Sequence, residues 1–216
     1  MLQKSIELEI RGEIYAKDIL AIGQRLRVLG FREIEETRRT SVMSFGDVSR
    51  FEHDEGNKKP TQVDIRCRIT NGKAEVVGKI GETHAANRLE ISQPVTRNEL
   101  FAFARLFGSM GFFTKVGSKV TKNFQKGSVI ASLVKSPSGL AYIEIEKMTD
   151  QKREKRDLKE LQALAKQLGI KLWKSRKEFL DFCRLLTERD DWEFHGTSKD
   201  IKRLKKEIKK AGSGRK

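Results

Sequence analysis

Acidic and basic residues alternate with apolar residues near both ends of the sequence. Glu7, Glu9 and Arg11 are separated by single apolar residues, and Glu144 and Glu146 follow the same pattern. Side chains of a β-strand alternate between its two faces, so each set is predicted to share one face of a strand. Grouped carboxylates are the hard oxygen ligands that suit Mg²⁺ or Mn²⁺.

Basic residues follow the same alternation in the middle of the chain. Arg66 and Arg68 share one segment, Lys79 belongs to the next, and Arg88 precedes Glu90 by two positions. For any one of these segments alone, an exposed strand face is the better explanation. Five such segments together favour a shared charged site, because buried charges need partners. A polyphosphate with its divalent cation satisfies both signs of charge.

Three segments have the spacing of an amphipathic helix, and they cover residues 19–29, 100–110 and 158–168. Each is followed directly by glycine, which is typical of the left-handed residue that ends a helix. Glu9 and Glu90 lie ten residues before the first two helices, within alternating segments. The sequence therefore predicts a strand–helix–strand unit that occurs twice, with a looser third version after Glu146.

Further alternating segments predict strands at 61–70, 73–80, 113–124, 128–134 and 140–147. Asn71-Gly72 is a strong hairpin turn, and 46–60 is predicted as a polar loop. If the helices cover the apolar face, closing the sheet would place the charged faces in one lumen. We therefore predict an α+β fold, with a closed, mostly antiparallel eight-stranded β-barrel (a tunnel) and helices packed outside.

The net charge is +15, which indicates a polyanionic partner. Residues 197–216 hold nine Lys and Arg against Asp200 and Glu207. Ser198 is a predicted N-cap, and Ile201, Leu204 and Ile208 form a narrow apolar stripe. We favour a helix docked on the barrel over an RNA-binding arm. The predicted domains are a tunnel domain at 1–186 and a basic helical tail at 187–216.

Other patterns exclude several classes of protein. No apolar stretch is long enough for a membrane span, and the N-terminus lacks the pattern of a secretion signal. Cys67 and Cys183 are the only cysteines, and the three histidines are scattered, so a disulfide scaffold and a zinc site are not indicated. A cytoplasmic monomer or homodimer is expected.

Taken in order, these motifs resemble the CYTH family, also called triphosphate tunnel metalloenzymes. The resemblance covers about residues 1–186. It is carried by Glu7-x-Glu9-x-Arg11, Arg66-x-Arg68, Lys79, Arg88-x-Glu90, Glu144-x-Glu146, the run LQALAKQLGI and the later Lys177-Glu178-Phe179.

The resemblance implies an eight-stranded antiparallel tunnel that acts on triphosphates with Mg²⁺ or Mn²⁺. Members include thiamine, inorganic and RNA triphosphatases and class IV adenylyl cyclases. The implied metal ligands are Glu7, Glu9, Glu144 and Glu146, and the implied catalytic residues are Glu7, Glu9 and Glu146. The implied phosphate-binding residues are Arg11, Arg66, Arg68, Lys79, Arg88, Lys119 and Lys177.

The sequence departs from the family pattern at four positions. Arg11 replaces a lysine, and Thr121 stands where an arginine is expected two residues after Lys119. An acidic residue is replaced by Ser132 or Leu133, and the tyrosine of a Lys-Ser-Tyr motif is Phe179.

The leading interpretation is metal-dependent hydrolysis of inorganic triphosphate or a small organic triphosphate. The alternatives are a class IV adenylyl cyclase and a non-catalytic module that binds polyphosphate or RNA 5′ ends. Crowded glutamates are expected to repel one another and raise some of their pKa values.

Overall fold

The structure, a computed structural model, describes residues 6–47, 62–80, 89–150 and 152–212. Within these ranges it contains nine strands, five α-helices and a short 3-10 turn. The strands are β1 (Ile6–Tyr15), β2 (Arg32–Asp47), β3 (Gln62–Thr70), β4 (Lys73–Ile80), β5 (Leu89–Val95), β6 (Phe113–Lys126), β7 (Val129–Lys135), β8 (Leu140–Thr149) and β9 (Trp192–Glu193). The helices are α1 (Ile19–Val28), α2 (Arg97–Ser109), α3 (Glu154–Gln167), α4 (Arg176–Asp190) and α5 (Ser198–Gly212).

The strands form one mostly antiparallel sheet in the order β1-β8-β7-β6-β2-β3-β4-β5, and the short β9 pairs with β6. The α+β class and the eight predicted strands are confirmed. No hydrogen-bonded pairing joins β1 to β5 among the described residues, so closure into a barrel is not confirmed. The polar loop predicted at 46–60 lies almost wholly outside the described residues, since β2 runs to Asp47.

The chain divides into two compact units, and its order of elements contains the predicted strand–helix–strand unit twice. Unit 1 comprises Met1–Thr37 and Lys119–Arg189, and unit 2 comprises Arg38–Ser118 and Asp190–Lys216. β1 and α1 lead into β2 in the first copy, and β5 and α2 lead into β6 in the second. The predicted duplication is therefore confirmed.

The core of unit 1 lies between its strands and helices α1 and α3. Leu26 and Leu161 are fully buried, and they pack in the same cluster as Ile143 and Ile145 of β8. Residues 142, 144 and 146 alternate with these isoleucines. The side chains of Tyr142, Glu144 and Glu146 therefore lie on the opposite face of β8.

A separate core fills unit 2. Cys67 and Ile69 of β3 pack with Leu100 of α2 and Leu204 of α5. Burial raises the pKa of the Cys67 thiol to about 12. Cys67 is thus a packing residue, and its neighbours in β3 point to the other face. The apolar stripe predicted for α5 is confirmed.

Glycines end the helices as the sequence predicts. Gly30, Gly111 and Gly169 all have positive φ values. After α1, the Phe31 N–H donates to the Leu26 carbonyl at 3.0 Å, and after α3 the Ile170 N–H donates to the Ala165 carbonyl at 2.9 Å. This six-to-one hydrogen bond is the Schellman pattern, which needs a left-handed residue.

Two local predictions need correction. Helix α5 is capped by Thr197 instead of Ser198, because the Thr197 hydroxyl accepts the Asp200 N–H at 3.2 Å and the Asp200 carboxylate accepts the Thr197 N–H at 3.1 Å. Helix α4 was not predicted as a separate helix. It follows α3 through an isolated bridge between Gly12 and Leu172, so the third glycine-terminated helix does not lead into a strand. None of the described helices is long and apolar enough to cross a membrane.

We expect Leu26→Ala to lower the free energy of unfolding by about 2–5 kcal/mol, because it removes a buried side chain and leaves a cavity. Leu26 is fully buried, whereas Leu20 of the same helix is 72% exposed. Leu20→Ala is the matched control and should change stability by less than about 0.5 kcal/mol. Urea unfolding measures both, and equal effects would contradict the assigned core.

Candidate functional site

The pairing of β1 with β8 brings the predicted acidic residues of unit 1 together. In the antiparallel register, Glu9 lies opposite Glu146 and Arg11 lies opposite Glu144. Directly opposed residues of two strands have neighbouring side chains. Two segments more than 130 positions apart therefore form one charged surface.

Arg11 connects two of these carboxylates. Its Nε donates to Glu144 Oε1 at 3.2 Å, and its Nη2 donates to the Glu9 carboxylate. The guanidinium also lies over the ring of Phe179, 4.8 Å from its centroid. These contacts fix the orientation of Arg11 between α4 and the carboxylates, and they raise its pKa despite its burial.

Glu144 stays ionised, contrary to the expectation of a raised pKa. Burial alone would raise the pKa of this carboxyl, but the charges of Lys119 and Arg11 and the hydrogen bonds to it outweigh burial and lower the pKa. Repulsion between the glutamates is therefore not the dominant effect at Glu144. The prediction of a raised pKa is wrong for this residue.

Lys119 and Tyr142 complete this part of the surface. Lys119 Nζ donates to the Tyr142 hydroxyl at 3.3 Å. Burial and the nearby charge of Glu144 raise the pKa of Tyr142 well above its usual value. The phenol thus remains a neutral hydrogen-bonding group beside the cation. We call Glu9, Arg11, Lys119, Tyr142 and Glu144 the carboxylate cluster.

The positions that depart from the family pattern lie on the same strands. Leu133 belongs to the core, whereas Ser132 lies opposite Glu144 in the register of β7 and β8. Ser132 donates to Asn123 Oδ1 at 2.8 Å. Thr121 is buried opposite Val134. Neutral hydrogen-bonding and apolar groups therefore stand where the family pattern has an acid and an arginine.

A tight approach at Gly12 positions the chain that carries the aromatic residues. A Cβ atom at Gly12 would lie 2.5 Å from the Lys171 carbonyl oxygen, so only glycine fits here. The Trp173 N–H donates to the Arg11 carbonyl at 3.0 Å. The Trp173 ring then packs on Phe179 and Phe182, with centroids 5.2 and 5.0 Å away. Trp173 thus supports Phe179, the ring that lies over Arg11.

Unit 2 carries a second charged surface, the arginine cluster, formed by Arg39, Asp64, Arg66, Arg68, Glu75, Lys79 and Glu90. Arg66 forms a two-pronged pair with the buried Asp64, with both N–O distances 2.8 Å. Arg68 bonds Glu75 at 2.6 Å and Glu90 at 3.0 Å, and Lys79 reaches Glu90 at 2.6 Å.

Arg39 is the member of the arginine cluster that the sequence interpretation missed. Its Nε donates to Thr70 Oγ1 at 2.9 Å. Burial lowers its pKa, and the neighbouring charge of Arg68 lowers it further. Three guanidiniums close enough to repel form a surface that favours an added anion.

The remaining predicted residues are placed differently. The Glu7 side chain and all of Arg88 lie outside the described residues, although the Glu7 backbone pairs with Met148. Lys177 is 86% exposed on α4 and pairs with Asp181 at 3.1 Å. Its role in phosphate binding stays a prediction, as does the convergence of all the predicted residues on one cavity.

Sequence reasoning also missed Tyr142 and Glu75. Both were visible in the alternation, since Tyr142 is in phase with Glu144, and Glu75 with Lys79. The sequence did not show that Trp173 packs beside Phe179, because this packing depends on the approach of residues 170–173 to Gly12.

The carboxylate cluster contains oxygen donors, which are the ligands that hard divalent cations prefer. Glu9 and Glu144 present carboxylate oxygens to a single guanidinium, and Glu144 is ionised. Within the described ranges, no three His, Cys, Asp or Glu side chains lie close enough to form a metal-binding group. Mg²⁺ or Mn²⁺ as cofactor stays a prediction.

Comparison with known proteins supports the fold. No protein-family model and no curated protein matches the sequence. Among solved structures, the PH1012 protein of Pyrococcus horikoshii is 19% identical, with a TM-score of 0.58 over 79% of this chain and 96% of that one. A conserved hypothetical protein of Pyrococcus furiosus is 17% identical, with a TM-score of 0.56 over 76% of this chain and 91% of that one.

A third similar structure carries a functional name. It is a protein of Vibrio parahaemolyticus named as a candidate adenylate cyclase, 19% identical, with a TM-score of 0.58 over 83% of this chain and 99% of that one. The chain shares the fold of these structures, which agrees with the resemblance of its motifs to the CYTH family. Identities below 25% show the fold alone, and substrate and reaction must be argued from the residues of this chain.

If Lys119 keeps Glu144 ionised, we expect Lys119→Gln to raise the pKa of Glu144. The folded pKa of Glu144 lies below its unfolded value, so the stabilisation is present above about pH 4.5 and is lost as the pH falls through the folded pKa. A ¹³C NMR titration of the glutamate carboxyls measures the change.

Lys122→Gln is the matched control for this titration. Lys122 belongs to the same strand but lies near Glu36, with 3.8 Å between the charged atoms. The control should leave the Glu144 titration unchanged. Equal titration curves for the wild type and Lys119→Gln would contradict the assigned role of Lys119.

Proposed function

We propose that this chain is a divalent-metal-dependent triphosphatase that hydrolyses inorganic triphosphate or a small organic triphosphate. The observation that carries the proposal is the carboxylate cluster, in which ionised Glu144 lies between Arg11 and Lys119. Facing acidic and basic groups match a metal–phosphate complex, since cations bind phosphate oxygens and carboxylates bind the metal.

The ion pairs of the cluster support a functional role over a structural one. Arg11, Glu9 and Glu144 are only 20–31% exposed, so their charges are largely removed from water. Apolar residues of similar volume often stabilise a fold equally well or better than such buried pairs. The cluster is therefore better explained by a ligand than by stability.

In the proposed site, Mg²⁺ or Mn²⁺ would be held by carboxylates from among Glu7, Glu9, Glu144 and Glu146, the residues that the resemblance implies. When bound, the metal would neutralise phosphate charge and lower the pKa of the attacking water. Arg11 and Lys119 orient phosphate oxygens, and the neutral Tyr142 hydroxyl donates a hydrogen bond. Glu146 would accept the proton of the attacking water, as a general base.

The arginine cluster would supply further phosphate contacts. Arg66, Arg68 and Lys79 keep the phosphate-binding roles that the resemblance implies, as do Arg88 and Lys177, and Arg39 is added to them. Asp64, Glu75 and Glu90 hold the basic side chains in place, which reduces the entropy lost when phosphate binds. Closure of the sheet into a tunnel is part of this proposal.

Class IV adenylyl cyclase is the second candidate, favoured by the name of the Vibrio parahaemolyticus protein. In that reaction the ribose 3′-hydroxyl of ATP attacks in place of water. A binding module without activity is the third interpretation, because Ser132 and Thr121 replace an acid and an arginine of the family pattern.

We expect metal-dependent release of phosphate from inorganic triphosphate. The assay compares inorganic triphosphate, ATP, thiamine triphosphate and RNA with a 5′-triphosphate, each with Mg²⁺ or Mn²⁺, and measures phosphate and cyclic AMP. Cyclic AMP from ATP without phosphate release would support the cyclase. No product from any substrate would support the binding module.

Glu146→Gln removes a carboxylate while keeping the shape of the side chain, and we expect it to lower kcat at least about tenfold. Glu160→Gln is the control, because Glu160 is 54% exposed on the surface of α3, where it pairs with Lys147. Unchanged kcat in Glu146→Gln would contradict its catalytic role.

Arg11→Lys restores the residue of the family pattern and retains the charge. We expect it to keep metal-dependent hydrolysis, whereas Arg11→Gln leaves Glu9 and Glu144 without their shared cation and should lose most activity. Steady-state kinetics compares the two variants, and equal losses of activity would show that the charge at position 11 is not what matters.

Arg66 is less suitable for such a test, since its removal also leaves the buried Asp64 without its partner.

A further inference from the structure

A groove of about 670 Å³ lies between α2 and α5, within unit 2. Phe101, Leu106 and Ile201 supply apolar surface to it, and Arg105, Lys202 and Lys205 supply basic groups. None of these residues belongs to the carboxylate cluster or the arginine cluster. The groove is therefore a surface that the proposed activity does not use.

The two acidic residues of α5 are both engaged in holding the fold. Asp200 accepts hydrogen bonds from the backbone N–H groups of His195 and Thr197. Glu207 accepts from Trp192 Nε1 at 3.0 Å and from Arg203 Nε at 3.2 Å. Neither carboxylate is paired with a lysine of α5 in these contacts.

Five lysines of α5 form no ion pair with a carboxylate among the described residues. In the part of the chain that the structure describes, no ion pair is found for Lys199, Lys202, Lys205, Lys206 or Lys209. Residues three and four positions apart share one side of a helix, so Lys202, Lys205 and Lys209 form a row. The row spans about 10 Å at 1.5 Å per residue.

The groove has a fixed shape, because close contacts hold α2 against the chain that enters α5. Arg105 donates to the Ser198 hydroxyl at 2.9 Å and to the Gly196 carbonyl at 3.3 Å. A Cβ atom at Gly196 would lie 2.6 Å from the Arg105 carbonyl oxygen. Lys205 lies over the Phe101 ring, 5.0 Å from its centroid.

We propose that this groove binds single-stranded nucleic acid. A row of unpaired lysines that runs along a helix matches a linear polyanion better than a compact anion. The apolar surface beside the row offers contact to bases, which a single strand exposes and a duplex buries. Inorganic polyphosphate would use the lysines but gain nothing from Leu106 and Ile201.

The test measures fluorescence anisotropy of a labelled single-stranded RNA of about 16 nucleotides. Its 5′ end carries a hydroxyl group, so binding does not depend on the proposed triphosphatase site. The variant is the triple substitution Lys202→Gln, Lys205→Gln and Lys209→Gln. We expect at least tenfold weaker binding, and a salt dependence of log K smaller by about 2, since each phosphate contact to a single strand contributes about 0.7.

A matched control removes the same charge elsewhere. Lys155, Lys159 and Lys166 are exposed on α3, and their triple substitution by glutamine should change the affinity by less than about threefold. Equal weakening by both triple variants would overturn the proposal, because it would show diffuse attraction to the net charge. Thermal unfolding of both variants checks that they are folded.

A second variant tests the apolar surface. Leu106 is 52% exposed, so Leu106→Ala should not disturb the fold. It should weaken binding of single-stranded RNA and leave inorganic polyphosphate binding unchanged. Duplex RNA bound as tightly as the single strand would overturn the proposal. Binding to vesicles that contain phosphatidylglycerol, with no binding to any oligonucleotide, would also overturn it. Binding of single-stranded DNA in place of RNA would support it.

Discussion

The ionised carboxylate of Glu144 is the constraint on which the rest of unit 1 depends. It is buried on the face of β8 opposite the apolar core, and burial alone would favour its neutral form. Arg11 and Lys119 reverse that preference, and each must be held in place by its own surroundings. Gly12 allows residues 170–173 to approach β1, and Phe179, which follows them, lies over Arg11. Packing far from the carboxylate thus keeps its charge.

Unit 2 also carries charged side chains that must be neutralised, and its arginine cluster has one more basic group than carboxylates. Its core also lies on one face of its strands, and its charged side chains lie on the other. Around Arg39, four basic side chains (Arg39, Arg66, Arg68 and Lys79) stand against the three carboxylates of Asp64, Glu75 and Glu90, whereas Arg11 and Lys119 stand against Glu9 and Glu144. Each unit therefore combines an apolar face that forms its core with a face of paired charges.

The sequence was sufficient wherever a property depends on local spacing. Alternation placed Arg66 and Arg68 on the face opposite Cys67, and the glycines marked the ends of the helices. The sequence was insufficient where a property depends on contacts between distant segments. The lowered pKa of Glu144 arises from Lys119 and Arg11, which belong to two other strands. The spacing of glutamates within one strand indicates only repulsion between like charges. The sequence also does not show whether Thr197 or Ser198 is the N-cap of α5. That choice depends on the Asp200 carboxylate, which accepts the N–H of Thr197.

The central claim is that the carboxylate cluster is the site where metal and triphosphate meet. Anomalous diffraction from crystals soaked in Mn²⁺ and a non-hydrolysable triphosphate analogue tests it most directly. The account predicts a manganese peak within about 2.5 Å of carboxylate oxygens of Glu9, Glu144 or Glu146, with analogue phosphates beside Arg11 and Lys119. A manganese peak bound to other residues, or an ordered analogue without contact to Arg11 and Lys119, would contradict the account.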